Sequence, residues 1–173
     1  MNVTRHQMQQ PEPTVVERPE QTYVGARRSV RMDAFSVIAD RLPEIIGWLA
    51  SHDTPIAGAP FFRFYAIDME GESEVEAGVP VADPPEPEGD IIVGVLPAGR
   101  YATLRHVGHP DGLFDTITRL REWGTAAGLK WDVITDAGGV ERWGCRIESY
   151  LTDPRIEPDM NKWEMELAFR LAD

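Results

Sequence analysis

A carboxyl group lies between charged and aromatic residues in the run RIESY, at residues 146–150. Alternate side chains of an extended strand point to opposite faces, so Arg146, Glu148 and Tyr150 are expected to share one face. The opposite face is then expected to carry Trp143, Cys145, Ile147 and Ser149. A Glu148 that is partly buried among aromatic residues has a raised pKa, and it can neutralise a cationic ligand or act as a general base. The pattern alone favours a simpler interpretation, a solvent-facing Glu148 paired with Arg146.

Aromatic side chains are the second set of candidates for a binding surface. The run FFRFYAI at residues 61–67 alternates, which predicts Phe62 and Phe64 on one face and Phe61, Tyr65 and Ile67 on the other. We expect one face to pack against a helix and the other to line a cleft, where aromatic rings beside a carboxylate suit a delocalised cation. Further candidates, each with core packing as the alternative, are Tyr23, Tyr101, Trp131, Trp143 and Trp163.

The remaining reactive residue types give no catalytic or metal-binding pattern. His106 and His109 are three residues apart, but we place one in a strand and the other in a loop, and no cysteine accompanies them. Cys145 falls on the apolar face of its strand, which predicts a buried and inert thiol. No Ser-His-Asp elbow or phosphate-binding glycine loop is visible. We therefore expect neither a metal nor a cofactor.

Composition restricts the classes of protein that this chain can belong to. Its 173 residues, 42% hydrophobic and 27% charged, are enough for one globular domain. With 17 Lys and Arg against 29 Asp and Glu, the formal charge is -12, which opposes direct binding of nucleic acid. No apolar stretch approaches the roughly 20 residues of a membrane helix. The single cysteine excludes an intrachain disulfide, so we expect a cytoplasmic protein.

The acidic residues are concentrated in the middle of the chain. Nine of them, and no Lys or Arg, occur between Asp68 and Asp90. A solvated hairpin followed by a proline-rich linker at residues 82–90 is the simpler interpretation of this segment. The alternative is a surface that binds another protein, because acidic stretches can mimic the charge of nucleic acid.

The predicted elements form two similar units on either side of the linker. A shift of 78 residues pairs Tyr23 with Tyr101 and gives seven identities in a window of 28. We predict an α+β fold of tandem duplicated ββαββ units, at residues 13–81 and 91–173, after a flexible arm at residues 1–12. Two such units commonly pack about a pseudo-twofold axis, and the cleft between the halves is the natural binding site.

Several boundaries of these elements can be predicted. In the first unit Asp33 is the expected N-cap of a helix, which Pro43 either kinks or divides into two short helices. In the second unit Asp111 is the expected N-cap and Gly128 the expected stop of a helix. Two continuous strands, at residues 143–151 and 163–171, are expected to close the second unit.

An ordered set of short motifs resembles the GyrI-like small-molecule-binding family, which also forms the effector-binding domain of some AraC-type and MerR-type regulators. The resemblance extends from about Pro13 to Leu171, and no single motif is diagnostic. The motifs are VVE at 15–17, YVG at 23–25, EAGVPV at 76–81, LPAGRYA at 96–102, ESYLTDP at 148–154 and KWEMEL at 162–167.

The resemblance implies a function and a role for one carboxylate. Members of the family bind bulky aromatic, often cationic, compounds in a central cleft, and Glu148 occupies the position of the family's central carboxylate. It also implies two alternatives: a hydrolase of electrophilic cyclopropane-bearing compounds, or a protein that interacts with gyrase or a regulator. In a hydrolase we expect Glu148 to act as the general base and a tyrosine such as Tyr65 to donate a proton or position the leaving group. Because the match begins near residue 13, we expect a standalone effector domain, monomeric or homodimeric, that has no direct contact with DNA.

Overall fold

The computed structural model describes residues 11–173, so most of the predicted arm at residues 1–12 lies outside them. Ten strands and three α-helices are present in the described part of the chain. The strands are β1 (Thr14–Arg18), β2 (Gln21–Arg31), β3 (Phe61–Ile67), β4 (Glu72–Pro80), β5 (Ile92–Leu96), β6 (Gly99–Val107), β7 (Val133–Thr135), β8 (Glu141–Trp143), β9 (Arg146–Tyr150) and β10 (Glu164–Arg170). The helices are α1 (Ser36–Ala39), α2 (Arg41–Ser51) and α3 (Leu113–Ala126).

The strands form one antiparallel sheet, which confirms the predicted α+β class. Its order is β1-β6-β10-β9-β3-β4-β2-β5, and the short β7–β8 hairpin is attached to β3. The first strand of each unit pairs with the other unit, β1 with β6 and β5 with β2. Tyr101 faces Val16 in one pair and Tyr23 faces Gly94 in the other, and a shift of 78 residues exchanges these pairs. An origin by duplication stays a prediction.

The helices of both units pack on the same face of the sheet. Phe62, Glu148 and Leu167 form one row across β3, β9 and β10, so their side chains point to this face. Phe62 belongs to the core under α1 and α2, whereas Leu167 belongs to the core under α3. Within residues 11–173, no helix has both the length and the apolar character that crossing a membrane requires.

The opposite face carries a third cluster of buried side chains. Tyr23, Phe61, Tyr101 and Cys145 belong to this cluster, and the ring of Tyr23 packs edge-on against the ring of Phe61 at 5.0 Å between centroids. The two faces are thus both covered near the centre of the sheet. A ligand-binding or catalytic residue can therefore lie on either face of the sheet, and residues on opposite faces do not meet.

Of the two outcomes predicted at Pro43, a kink or two short helices, the structure has two short helices, but both predicted N-caps are wrong. Pro43 lies in the first turn of α2, where its missing N–H is not needed. Asp33 lies inside a short 3-10 turn and accepts no capping hydrogen bond. Asp111 also lies inside such a turn, and the His109 ring accepts from its backbone N–H at 3.0 Å. Gly128 follows the end of α3 with a positive φ of 76°, as predicted.

The continuous strand predicted at residues 143–151 is wrong. It is broken between β8 and β9 at Gly144, whose backbone N–H donates to the carbonyl of Asp132 at 2.9 Å. The break turns Trp143 to the helix-covered face, whereas Cys145 and Ile147 stay on the other. A register shift between Phe64 and Ala66 has a similar effect on Ile67, which packs toward the helices instead of sharing a face with Phe61.

Much of the acidic segment is held by contacts within the chain. Asp90 bridges Arg28 at 3.0 Å and Arg41 at 2.6 Å, and Glu88 accepts from the Trp48 indole at 2.6 Å. These contacts tie the linker at residues 82–90 to α2 and to β2. A role of this segment in binding another protein stays a prediction.

Candidate functional site

A groove of about 950 Å³ lies between α2 and the central strands of the helix-covered face. We call it the helix groove. Leu42, Ile46 and Gly47 of α2 line one wall, and Phe62 of β3 and Tyr150 of β9 line its floor. The far wall is formed by residues 151–155 and Trp163. The lining is mainly apolar and aromatic, which is typical of small-molecule sites.

Glu148 lies directly beside the residues at the floor of this groove. Its backbone is paired with that of Phe62, and Tyr150 is the next residue of β9 on the same face. The residue is 6% exposed, and its carboxyl group accepts no hydrogen bond from any residue that the structure describes. Burial raises the pKa of Glu148 to about 7, although the positive charge of Arg146 opposes the shift. Glu148 is therefore a buried acid and not the solvent-facing residue of the simpler interpretation.

Tyr150 is a groove residue that the sequence-based set of candidates omitted. Its ring packs edge-on against Phe62 with 5.4 Å between centroids. Burial and the neighbouring Glu148 both raise the pKa of the Tyr150 hydroxyl, which therefore keeps its proton at neutral pH. The alternation in RIESY places this residue beside Glu148, and that signal is sufficient to include it.

Arg146 is the next charged group along β9 on the same face. Its guanidinium carbon lies 4.2 Å from the centroid of the Phe169 ring and 5.3 Å from that of Trp143. Burial lowers its pKa to about 10, so that the group stays protonated at neutral pH. Its closest carboxylate contact is a 3.8 Å approach of Nη1 to Glu141. Arg146 and Glu148 do not form the direct ion pair that the sequence favoured.

The three candidate tryptophans occupy two different environments. Trp163 lines the helix groove, and its indole N–H donates to the carbonyl of Glu157 at 2.7 Å. Trp131 and Trp143 belong to the core beside α3, with 6.2 Å between their ring centroids. Their predicted contact with a ligand stays a prediction.

Phe61, Tyr65 and Tyr101 lie on the face of the sheet that is opposite to Glu148. Phe61 and Tyr101 line a separate cavity of about 330 Å³. The Tyr65 hydroxyl donates to Glu76 at 2.9 Å, and the Tyr23 hydroxyl also bonds to Glu76. The structure therefore does not bring Tyr65 and Glu148 together, and the predicted acid–base pair of these two residues is not formed.

Glu76 lies in a buried hydrogen-bond network that the sequence did not predict. Glu76 is 1% exposed, and its Oε1 accepts hydrogen bonds from both tyrosine hydroxyls. Arg63 donates to the Tyr23 hydroxyl at 3.1 Å and to the carbonyl of Gly144 at 3.1 Å. Buried hydrogen-bond networks of this kind fix strand positions.

The other reactive residues make ordinary structural contacts. His106 is buried, with Nδ1 2.7 Å from the Thr116 hydroxyl and Nε2 2.8 Å from the carbonyl of His109. Burial raises the pKa of the Cys145 thiol, which keeps it unreactive. Within residues 11–173, no group of three or more His, Cys, Asp or Glu side chains is arranged to hold a metal ion.

Comparison with solved structures gives several similar folds. The C-terminal domain of EcmrR has a TM-score of 0.72 and 24% identity, with 94% of this chain and 98% of that one covered. EcmrR in a DNA complex has a TM-score of 0.75 and 21% identity, and this chain spans 61% of its length. SAV2435 bound to tetraphenylphosphonium has a TM-score of 0.59 and 13% identity, with 93% and 94% covered. A hydrolase from Listeria innocua has a TM-score of 0.63 and 14% identity, with 99% and 98% covered.

The antiparallel sheet and the helices on one of its faces define an α+β domain, and its apolar groove is of the kind that small molecules occupy in proteins. The sequence matches the GyrI-like small molecule binding domain over residues 11–172. The chain belongs to this family. No curated protein matches the sequence.

Proposed function

We propose that this protein binds hydrophobic aromatic cations in the helix groove, with Glu148 as the anionic group. The observation that carries the proposal is a buried carboxyl group without a hydrogen-bond donor among residues 11–173, next to the aromatic floor of an apolar groove. A buried carboxylate of this kind is costly unless a positive charge approaches it. A cationic ligand supplies that charge, and the rings of Phe62 and Tyr150 add favourable cation–π contact.

Two probes of the same shape and opposite charge test the proposal. Tetraphenylphosphonium is expected to bind, whereas tetraphenylborate is expected to bind at least ten times more weakly, a difference of about 1.4 kcal/mol or more. Glu148→Gln removes the charge with little change in volume and is expected to abolish this discrimination. Glu122→Gln is the matched control, because Glu122 lies exposed on α3.

The measurement is the dissociation constant of each probe by isothermal titration calorimetry. Equal affinity for the two probes would contradict the proposal, as would unchanged discrimination in Glu148→Gln. Loss of discrimination in the Glu122→Gln control would show that the net charge of the protein, and not Glu148, selects the cation.

A hydrolase is the second candidate function, favoured by the pKa of Glu148 near 7 and by the neighbouring Tyr150. The carboxylate form of Glu148 can take a proton from water as the water attacks one carbon of the ring and a ring C–C bond breaks, while Tyr150 donates a proton to the other carbon of that bond. The proton on Glu148 then returns to Tyr150, which restores both groups. Catalytic consumption of a cyclopropane-bearing alkylator is the test. If Glu148→Gln abolishes turnover and the alkylator still binds, the protein is an enzyme. Absence of turnover by the wild type would eliminate this candidate.

A further inference from the structure

Arg146 is held in place by aromatic rings, and one of its N–H donors is buried without a partner among residues 11–173. The residue is 7% exposed, and the centroids of the Phe169, Trp143 and Phe64 rings lie 4.2 to 5.8 Å from its guanidinium carbon. Its Nε–H is buried and has no hydrogen-bond partner among residues 11–173, and its Nη1 lies 3.8 Å from Glu141, beyond hydrogen-bond distance. Aromatic rings fix the orientation of a guanidinium but do not satisfy its five N–H donors.

The charges around Arg146 favour an incoming acceptor. Arg121 lies on the same cluster, with its guanidinium carbon 5.0 Å from the Trp143 centroid, and it pairs with Glu141 at 3.3 Å. The two arginines thus have two acidic side chains nearby, Glu141 and Glu148, of which Glu141 is the one within 4 Å of both guanidinium groups. When a ligand cation pairs with Glu148, the arginines are left with one carboxylate between them. A carboxylate on the same ligand would restore the charge balance.

Arg146 and Glu148 are spaced for one ligand to contact both. They are two residues apart on one face of β9, which separates their Cα atoms by about 7 Å. Tyr150 continues the same row to the groove. A ligand that enters over Tyr150 therefore meets the carboxyl group first and the guanidinium next.

We propose that Arg146 is a second ligand-binding group and that the site takes molecules with an oxygen acceptor, such as a carboxylate, beside their cationic centre. The inference rests on the proposed function, because it assigns the cationic centre of the ligand to Glu148. It narrows the ligand class from aromatic cations in general to zwitterionic or acceptor-bearing ones. Bidentate guanidinium–carboxylate contact explains why arginine, and not lysine, suits this position.

Rhodamine B and its ethyl ester form a matched pair of probes for this inference. Both carry the same cationic ring system, but only rhodamine B has a free carboxylate. The wild type is expected to bind rhodamine B at least ten times more tightly than the ester, measured by fluorescence anisotropy. Arg146→Met is expected to remove the preference by weakening rhodamine B alone. Arg142→Met, which removes an exposed arginine of β8, is the matched control and is expected to keep the preference.

The outcomes separate this inference from the proposed function. If both dyes bind equally to the wild type and bind more weakly to Glu148→Gln, Arg146 has no part in recognition and the proposed function stands. A preference that survives in Arg146→Met also overturns the inference. If neither dye nor tetraphenylphosphonium binds, the proposed function fails and the inference fails with it. The comparison of the two dyes on the wild type needs no variant to fold.

Discussion

At the scale of single residues, the central feature is a carboxyl group buried at a cost to folding. The pKa of Glu148 is about 7 in the folded chain, against an ordinary value of 4.5. Between these two values the folded state binds a proton that the unfolded state releases. The contribution of Glu148 to stability therefore falls as the pH rises from about 4.5 to 7 and stays at its low value above that range.

Replacing Glu148 with glutamine is expected to remove this pH dependence. The free energy of unfolding of Glu148→Gln relative to the wild type should rise by about 2 to 3 kcal/mol between pH 5 and pH 8, because a tenfold change in proton affinity corresponds to about 1.4 kcal/mol. Arg146, with a pKa near 10, keeps its charge over this range. Urea unfolding at the two pH values measures the difference. A constant difference would show that the Glu148 carboxyl is not desolvated.

Sequence alternation identified the residues that share a face of β9 with Glu148, but it could not predict which residues pack against that face. Arg146, Glu148 and Tyr150 share a face as expected from their spacing. The position of Trp143 could not be predicted, because the break at Gly144 depends on a tertiary hydrogen bond to Asp132. The burial of Glu148 depends in the same way on Leu167 and Phe62, which come from distant parts of the chain.

At the scale of elements, α2 is the wall that gives the groove its width. Gly47 lines the groove in the middle of this helix, and a Cβ placed there would meet no atom within 4 Å. Glycine is an unfavourable residue inside a helix, by about 1 kcal/mol relative to alanine. Its presence is explained by the open space that it leaves in the groove.

Two substitutions at Gly47 are expected to act in different ways. Gly47→Ala should raise the free energy of unfolding by about 0.5 to 1 kcal/mol, since it restores helix propensity without a clash. Gly47→Trp should fill the groove and weaken the binding of tetraphenylphosphonium at least tenfold. Val37→Trp adds a side chain of the same size on the exposed side of α1, outside the groove, and is the control. If Gly47→Trp binds the probe as the wild type does, the ligand occupies another cavity, such as the one beside Phe61 and Tyr101.

The helices and long strands could be predicted from periodicity and from proline and glycine, as Pro43 and Gly128 show. The β7–β8 hairpin could not. Its strands are three residues long, too short for an alternating pattern to emerge. Both N-cap predictions failed because 3-10 turns precede the α-helices and displace their first turns.

At the scale of the whole molecule, the two units are interlocked by exchanged strands. β1 of the first unit completes the sheet beside β6, and β5 of the second unit completes it beside β2. The central contact, between β3 and β9, also joins the units. In an isolated unit, β1 or β5 would therefore have no partner strand. The helix groove itself contains residues of both units.

Cleavage of the linker is therefore expected to leave the two halves associated. A protease site introduced at residues 84–87, in the exposed proline-rich segment, would separate β1–β4 from β5–β10. Size-exclusion chromatography of the cleaved protein should show one species of the full mass, which separates only in denaturant. Elution as two fragments without denaturant would mean that the exchanged strands do not hold the units together.

The most direct test of the account is the proton released when a cation binds. Tetraphenylphosphonium has no titratable group, so a proton that is released to the buffer must come from the protein. A pKa near 7 leaves about half of the Glu148 carboxyls protonated at pH 7, and a bound cation would convert them to carboxylates.

Calorimetry at pH 7 in two buffers of different ionisation enthalpy gives the number of protons. About half a proton per bound tetraphenylphosphonium is expected for the wild type and for Tyr65→Phe, whose ring lies on the opposite face. Glu148→Gln is expected to release none. Binding to the wild type without proton release, or with the same release in Glu148→Gln, would contradict the assignment of Glu148 as the group that receives the cation.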